Sequence, residues 1–423
     1  MRQKTYGEVV DTISNMKRFG TLAGVDVAAG MLAQLEYPQK GMRLIHIAGT
    51  NGKGSVSAFL CEILTCAGFR TGLFTSPHLV DFEERIRVGG DMIPRDDVAR
   101  IGRELLAADF AVQPSMFDYC LAMALLYFKE QACDVVILET GLGGRLDSTN
   151  AVGIPDVSVI TKIGYDHMAI LGDTLEEIAA EKAGIIKKGT RLILESQTPE
   201  VAEVFTSFAR SREVAWCKTV NPSEFTDMHY ENGEQVYSFG DYRGLKMRML
   251  GVHQYENAAA AILAAEAFFD VVQGQIAADL QEESIRKGIA QARWKGRMEI
   301  LRESPFFMVD GAHNSNGVAA LKASLMEMFP GEKFHFVMGV MADKDYDRMV
   351  EELLPLAIDF RTVTVEDDRA VQAEQLAQYI RARGIAAEST ALAECVNGKA
   401  RQEGKTVAFG SLYFVGEIER FYT

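Results

Sequence analysis

Seven consecutive residues, Gly49-Thr50-Asn51-Gly52-Lys53-Gly54-Ser55, place three glycines, a lysine and two hydroxyls in one short stretch. That combination suits a polyphosphate. Glycines let backbone N–H groups approach phosphate oxygens, and a helix beginning there turns the positive end of its dipole toward them. Lys53 would reach the terminal phosphates, and the Ser55 hydroxyl is placed to touch phosphate or a magnesium ion. Gly52, Lys53, Gly54 and Ser55 are therefore the candidate nucleotide-binding residues. The general P-loop pattern has two more residues between its first glycine and the Gly-Lys pair, and a hydroxyl directly after the lysine. Here Gly54 intervenes, so the stretch is a variant of that pattern.

Other strand ends carry further chemistry. Ser76 follows the short strand expected over Arg70–Thr75, Glu139 follows the apolar run Cys133–Leu138, and Asp166-His167 follow Val157–Lys162. A carboxylate and a hydroxyl at the C-terminal ends of buried strands lie where open α/β sheets bind ligands. Ser76, Glu139 and His167 together offer oxygens and one imidazole, a set that magnesium accepts although it prefers oxygen. Taken singly, Glu139 also suits a structural ion pair, and His167 a helix cap or a core position.

The elements that must position these groups alternate between strand and helix. A helical prelude over residues 5–38, with a loop near Gly20–Gly24, ends at Pro38 and Gly41. Leu44, Ile45, Ile47 and Ala48 then read as a buried strand, and Val56, Ala58, Phe59, Leu60, Ile63 and Leu64 recur at helical spacing. A second helix is expected over Met116–Glu130, and the helix from Thr174 carries Glu181-Lys182-Ala183-Gly184. Asn232-Gly233 reads as a hairpin turn, and an alanine-rich helix starts near His253. After Trp294-Lys295-Gly296-Arg297-Met298, further strands are expected near Phe306–Asp310, Phe334–Val340, Arg361–Val365 and Thr406–Phe409. The predicted fold is α/β. An N-terminal P-loop-type domain with a mostly parallel sheet and helices on both faces spans 1–293. A linker spans 294–298, and a smaller Rossmann-like α/β domain spans 299–423.

Bulk properties narrow the function classes. With 59 acidic and 44 basic residues the net charge is −15, which opposes general nucleic-acid binding and allows one anionic ligand held by placed cations. No stretch approaches the roughly 18 uncharged apolar residues of a membrane span, and the N-terminus lacks an apolar signal core. The six cysteines form no CxxC pair and read as reduced thiols of a cytoplasmic protein. Small-molecule partners and a monomer are the expectation.

Ten motifs along the chain carry a family resemblance. HIAGTNGKGS (46–55), TSPHL with ERI (75–79, 84–86), ETGLGGRLDSTN (139–150), DH (166–167) and EKAGIIK (181–187) carry it. HQYENA (253–258), GRME (296–299), DGAHN (310–314), MADKD (341–345) and GSLYFVGEI (410–418) complete the set. The sequence resembles the folylpolyglutamate synthase/dihydrofolate synthase family, a branch of the Mur ligase superfamily of ATP-dependent amide-forming enzymes of folate metabolism. The motifs occur in family order along essentially the whole chain.

The resemblance implies that a folate-type carboxylate attacks the γ-phosphate of ATP, and that the amine of L-glutamate then attacks the resulting acyl phosphate. Ser76, Glu139 and His167 would be magnesium ligands, and Lys182 a lysine carbamylated to hold metal. On the side of the second domain, Asn257, Arg297 and Asp310 match nucleotide-holding positions, while His313 and Ser411 match positions near the incoming glutamate. Ser115, Met116, Phe117 and Asp118, with Leu146, Asp147 and Ser148, would meet the pterin end. Lys53, Lys182 and His313 are the expected catalytic residues, and domain closure would exclude water. Two departures stand out: Asp118 where the family often has Glu, and Lys295 where it usually has Pro.

Two rivals share the nucleotide loop. A peptidoglycan-precursor Mur ligase is disfavoured by Gly54 between Lys53 and Ser55 and by the TSPHL–ERI loop. A nucleotide-dependent switch would show no phosphate release that depends on both folate and glutamate.

Overall fold

The computed structural model describes residues 4–16, 24–397 and 404–422. The expected Gly20–Gly24 loop thus lies mostly outside the described residues. The strands, in chain order, are β1 Arg43–Ala48, β2 Thr71–Phe74, β3 Ile86–Val88, β4 Asp91–Met92, β5 Val135–Glu139, β6 Val157–Ile160, β7 Arg191–Leu194 and β8 Trp216–Thr219. There follow β9 Phe225–Glu231, β10 Glu234–Phe239 and β11 Tyr242–Met247. Last come β12 Glu299–Glu303, β13 Phe306–Val309, β14 Phe334–Met338, β15 Ala357–Thr362, β16 Ala386–Ser389 and β17 Lys405–Phe409. The first eight form one sheet in the order β4-β3-β2-β5-β1-β6-β7-β8, β9 to β11 a three-stranded sheet, and β12 to β17 a six-stranded sheet ordered β12-β13-β17-β14-β15-β16.

By packing the chain separates into two units. The first comprises residues 1–228, 236–247 and 256–292, the second 229–235, 248–255 and 293–423. The expected boundary at residue 293 is near the main division, but two short segments upstream of it group with the second unit.

In the first unit, β1 lies between β5 and β6, all three parallel, with Ile47 opposite Glu139 and Ala48 opposite Ile160. β2 joins β5 in parallel and β7 joins β6 in parallel. Their C-terminal ends therefore align along one edge, and the chain leaves that edge at Gly49, Thr75, Thr140, Thr161 and Glu195. Strands buried on both faces need continuous apolar sequence, as β5 (VVILE) shows. The helix Lys53–Cys66 is buried along most of its length, including Val56, Phe59, Leu60, Ile63 and Leu64. Each of these large side chains removed from water contributes about 1.5–3 kcal/mol, so the start of that helix is anchored from behind.

In the second unit β12 runs antiparallel to β13, and β13, β17, β14, β15 and β16 are parallel. Its core gathers Met308, Phe334, Phe336, Phe360, Val407 and Phe409. The strand expected at Arg361–Val365 is displaced to Ala357–Thr362, and β12 and β16 were not among the expected strands. Both are sheet edges, and β16 is nearly all exposed. Edge strands bury too little side chain to show an apolar pattern.

Candidate active site

The glycine loop is clamped before any ligand is considered. Thr50 and Asn51 donate their backbone N–H groups to the Lys162 carbonyl at 3.0 and 3.2 Å, and Thr161 Oγ1 donates to the Asn51 carbonyl at 2.6 Å. Gly52 caps the helix Lys53–Cys66 with φ 90°, a left-handed conformation that favours glycine. It also has no room for a side chain: a Cβ there would stand 2.3 Å from Asn257 Oδ1. The first helical turn holds no acidic residue, so the positive end of the dipole is left for an anion. Lys53 Nζ donates back to the Gly49 and Thr50 carbonyls at 3.2 and 3.3 Å. Gly54 and Ser55 are buried in that first turn.

A second lysine meets the same carbonyl. Lys182, at the end of the helix Leu175–Lys182, is 4% exposed, and its Nζ donates to Gly49 O at 2.9 Å. Burial, then the nearby Lys53 charge, pushes the ammonium down to about 7, while Asp166 and Asp147 pull the other way. Near neutral pH a large share of Lys182 is therefore the free amine, the form that reacts as a nucleophile.

Of the expected metal ligands, the structure brings Ser76 and Glu139 together: the Ser76 backbone N–H donates to Glu139 Oε2 at 3.4 Å. Glu139 is buried at the end of β5. His167 opens the next element with φ 51°, its side chain 46% exposed and Nε2 3.9 Å from Asp166 Oδ1. Among the described residues, no group of three or more His, Cys, Asp or Glu side chains is placed to hold a metal ion. A buried carboxylate beside a serine at a strand end does suit magnesium, which takes hard oxygens and keeps several waters.

The loop carrying Ser76 is built by Glu84. Its carboxylate accepts the backbone N–H groups of Leu79, Val80 and Asp81 at 2.7, 3.0 and 3.0 Å. Arg85 Nε donates to His78 Nδ1 at 2.7 Å. Sequence reading noted the ERI motif without assigning Glu84 this organising role.

The residues expected at the pterin end form a linked set. Asp118 Oδ2 accepts the backbone N–H and hydroxyl of Ser115, both at 2.7 Å, and Oδ1 accepts Ser148 Oγ at 2.6 Å. Asp147 points inward: it accepts Gly141 N, Leu142 N and Thr149 N at 3.0, 2.8 and 3.0 Å. Burial raises its carboxyl despite those bonds. Phe117 packs against Phe74, ring centroids 5.5 Å apart, and Met116 packs on the core. Leu146 is exposed, and its carbonyl accepts Val25 N at 3.0 Å.

In the second unit the ends of β13 and β17 adjoin. Asp310 accepts Met298 N at 2.9 Å and Ala312 N at 2.8 Å, fixing the turn that follows Arg297. His313 Nδ1 lies 2.7 Å from the Gly311 carbonyl; as donor there, it leaves Nε2 as the basic nitrogen. Ser411 caps the helix Leu412–Glu419, its Oγ accepting Tyr413 N at 3.1 Å. Gly410 N donates to Ala312 O at 3.0 Å, which ties the two turns together. Asn257 belongs to the first unit, where it lies against Gly52 of the glycine loop.

Sequence reading also passed over Glu195, directly after β7. It is 2% exposed, and its Oε2 accepts Lys162 N at 2.7 Å.

The phosphate-type loop on a mostly parallel sheet and the smaller, mostly parallel sheet unit fall within two Mur ligase domains. The family model for the Mur ligase middle domain matches residues 47–265, and that for the Mur ligase glutamate ligase domain matches 296–412. Within that class the chain belongs to the folylpolyglutamate synthase/dihydrofolate synthase family. It is 35% identical to the dihydrofolate synthase/folylpolyglutamate synthase of Bacillus subtilis (strain 168), covering 98% of each chain. Among solved structures, a folylpolyglutamate synthase of Mycobacterium tuberculosis complexed with ADP and AMPPCP superposes with TM-score 0.86 and 28% identity, over 99% of this chain and 98% of that one. FolC of E. coli, in complex with DHPP and ADP, gives TM-score 0.83 and 28% identity, over 100% and 99%.

Proposed function

We propose that this chain is an ATP-dependent carboxylate–amine ligase that joins L-glutamate to dihydropteroate, to a reduced folate, or to both. The observation that carries this reading is the loop Gly49–Ser55: left-handed at Gly52, clamped to β6, and opening a helix whose first turn has no acidic residue.

In the proposed reaction a carboxylate oxygen of the pteroyl substrate attacks the γ-phosphorus of ATP, and the bond to the ADP oxygen breaks. The glutamate amine then attacks the acyl carbon. The C–O bond to phosphate breaks, the amine loses a proton and an amide remains. Both steps concentrate negative charge, so fixed positive groups supply most of the rate. The backbone N–H groups of Gly52, Gly54 and Ser55 and the helix end cradle the phosphates, and Lys53 swings from the Gly49 carbonyl to the transferring phosphoryl group. Asn257, Arg297 and Asp310 hold the rest of the nucleotide. Ser115–Asp118 and Leu146–Ser148 form the pterin end, with Leu146 its exposed apolar side chain. His313 and Ser411 hold glutamate, and His313 Nε2 takes up the amine proton.

Ser76 and Glu139, with His167, would hold magnesium, which supplies charge neutralisation on the phosphates when bound. Lys182 is proposed to be carbamylated: its free amine adds CO2, forming an N–C bond and releasing a proton, and the cation becomes a carboxylate. The depressed ammonium makes this feasible at neutral pH. The working unit is proposed to be a cytoplasmic monomer acting on small molecules, with neither nucleic acid nor membrane as partner; sedimentation at the mass of one chain tests the first.

ADP release measured with dihydropteroate and with tetrahydrofolate, each with and without glutamate, tests the reading. Release that requires glutamate and one of the pteroyl substrates supports it. Release independent of both would point to a nucleotide switch instead.

A further inference from the structure

Glu195 follows β7 directly, in line with Thr161 at the end of β6 and Gly49 at the end of β1. One carboxyl oxygen, Oε2, accepts Lys162 N–H at 2.7 Å. That residue's carbonyl receives the N–H groups of Thr50 and Asn51, so Glu195 stands one bond behind the clamp on the phosphate loop. The other oxygen, Oε1, is fully enclosed and has no hydrogen-bond partner. It lies 3.5 Å from the point where a Cβ on Gly52 would sit, and Asn257 Oδ1 lies 2.3 Å from that same point. An orphaned buried oxygen destabilises the fold, so its retention beneath the loop calls for a role.

Resting on the nucleotide-binding reading above, we propose that Glu195 is a positioning residue for ATP, a neutral carboxylic acid that holds the loop at Gly52 and the Asn257 amide in the arrangement that receives the phosphates. The charged groups around it fit a neutral acid. Glu256 stands beside it, its Oε2 accepting Ser196 Oγ at 2.6 Å and pairing at 3.6 Å with the Lys162 ammonium. That ammonium is further engaged by Ser196 O at 2.7 Å and Ser196 Oγ at 3.0 Å. From the phosphate loop the charged side chain is Lys53, directed to the Gly49 and Thr50 carbonyls. Burial, then Glu256, pushes the Glu195 carboxyl up to about 8, against the pull of the Lys162 N–H and ammonium. A carboxylate at this place would set a negative charge against a loop built for anions. The protonated acid avoids that and gives Oε1 a hydrogen to donate.

Nucleotide binds the form with Glu195 protonated, so ADP affinity falls as pH rises through 8. One proton gives at most about a tenfold loss per pH unit. Lys182 also titrates, near 7, but equally in wild type and in a Glu195 variant, so the ratio of the two isolates Glu195.

The experiment is ADP titration by calorimetry between pH 7 and 9 on the wild type, Glu195→Gln and Glu195→Ala, with KM for ATP and kcat at pH 7.5. Glu195→Gln should bind ADP as the wild type does at pH 7 and lose the fall above pH 8. Glu195→Ala should raise KM for ATP about fivefold or more, the loss of roughly one hydrogen bond, with kcat little changed. Parallel pH profiles in wild type and Glu195→Gln, or a Gln variant as weak as the Ala variant, would overturn the proposal. Should the Ala variant fail to fold, the Gln comparison still decides. Absence of ADP binding by the wild type would instead sink the nucleotide reading itself.

Discussion

Two lysines converge on the Gly49 carbonyl, and their environments assign them different work. Lys53 sits at the helix start with its Nζ on backbone carbonyls, a resting position it can leave for a phosphoryl group. Lys53→Ala should lower turnover about a hundredfold or more, the cost of removing a principal electrostatic stabiliser, with the fold intact by circular dichroism. Near-normal turnover at saturating ATP would remove Lys53 from the mechanism. Lys182 is buried, and its ammonium is pushed down to about 7. Its reactive free amine therefore grows as pH rises through 7, and carbamylation at fixed dissolved CO2 should rise with it. Intact mass under mild conditions should show the added carboxyl, more at pH 8 than at pH 6. Lys182→Ala should be partly rescued by short carboxylic acids. An unmodified lysine at both pH values, in carbonate-supplied protein, would contradict the proposal.

At the scale of the element, the helix Lys53–Cys66 and the loop before it act as one part. Gly52→Ala forces an alanine to φ 90° with its Cβ against Asn257 Oδ1. It should cost about 1–2 kcal/mol of stability, seen as a lower melting temperature, and a larger loss of ADP affinity. The helix Met116–Glu130 is set by Asp118, whose two oxygens accept three hydrogen bonds, two from Ser115 and one from Ser148. Asp118→Asn would turn an amide toward one of those donors and should destabilise by about 1–3 kcal/mol, with KM for the pteroyl substrate rising more than KM for ATP. This helix was legible in the sequence to the residue, because an apolar run follows a serine with an acid three positions on. So was β5, buried on both faces. The Glu84 cap on the TSPHL loop was not, since a carboxylate folding back on backbone N–H groups leaves no periodic trace. Glu195 carried the same signature as Glu139, a carboxylate closing a buried strand. No glycine motif follows it, and so it drew no attention.

For the whole molecule, alternation of apolar strands with amphipathic helices made both α/β units readable. The two segments 229–235 and 248–255 that group with the second unit were not readable, because which unit a segment packs on depends on long-range contacts. The same limit hid the place of Asn257, expected among the nucleotide-holding residues, against Gly52. The second unit joins two turns, one with Asp310 and His313 and one with Ser411, through the Gly410–Ala312 hydrogen bond. His313→Ala and Ser411→Ala should chiefly raise KM for glutamate, and Asp310→Ala KM for ATP; equal losses for both substrates in all three variants would contradict that division.

An acyl phosphate carries a carboxylate oxygen into the phosphate that leaves. With the pteroyl carboxylate labelled with oxygen-18, the phosphate released during glutamate addition should carry one labelled oxygen, and ADP none. Unlabelled phosphate, or release of AMP and pyrophosphate in place of ADP, would contradict the acyl phosphate.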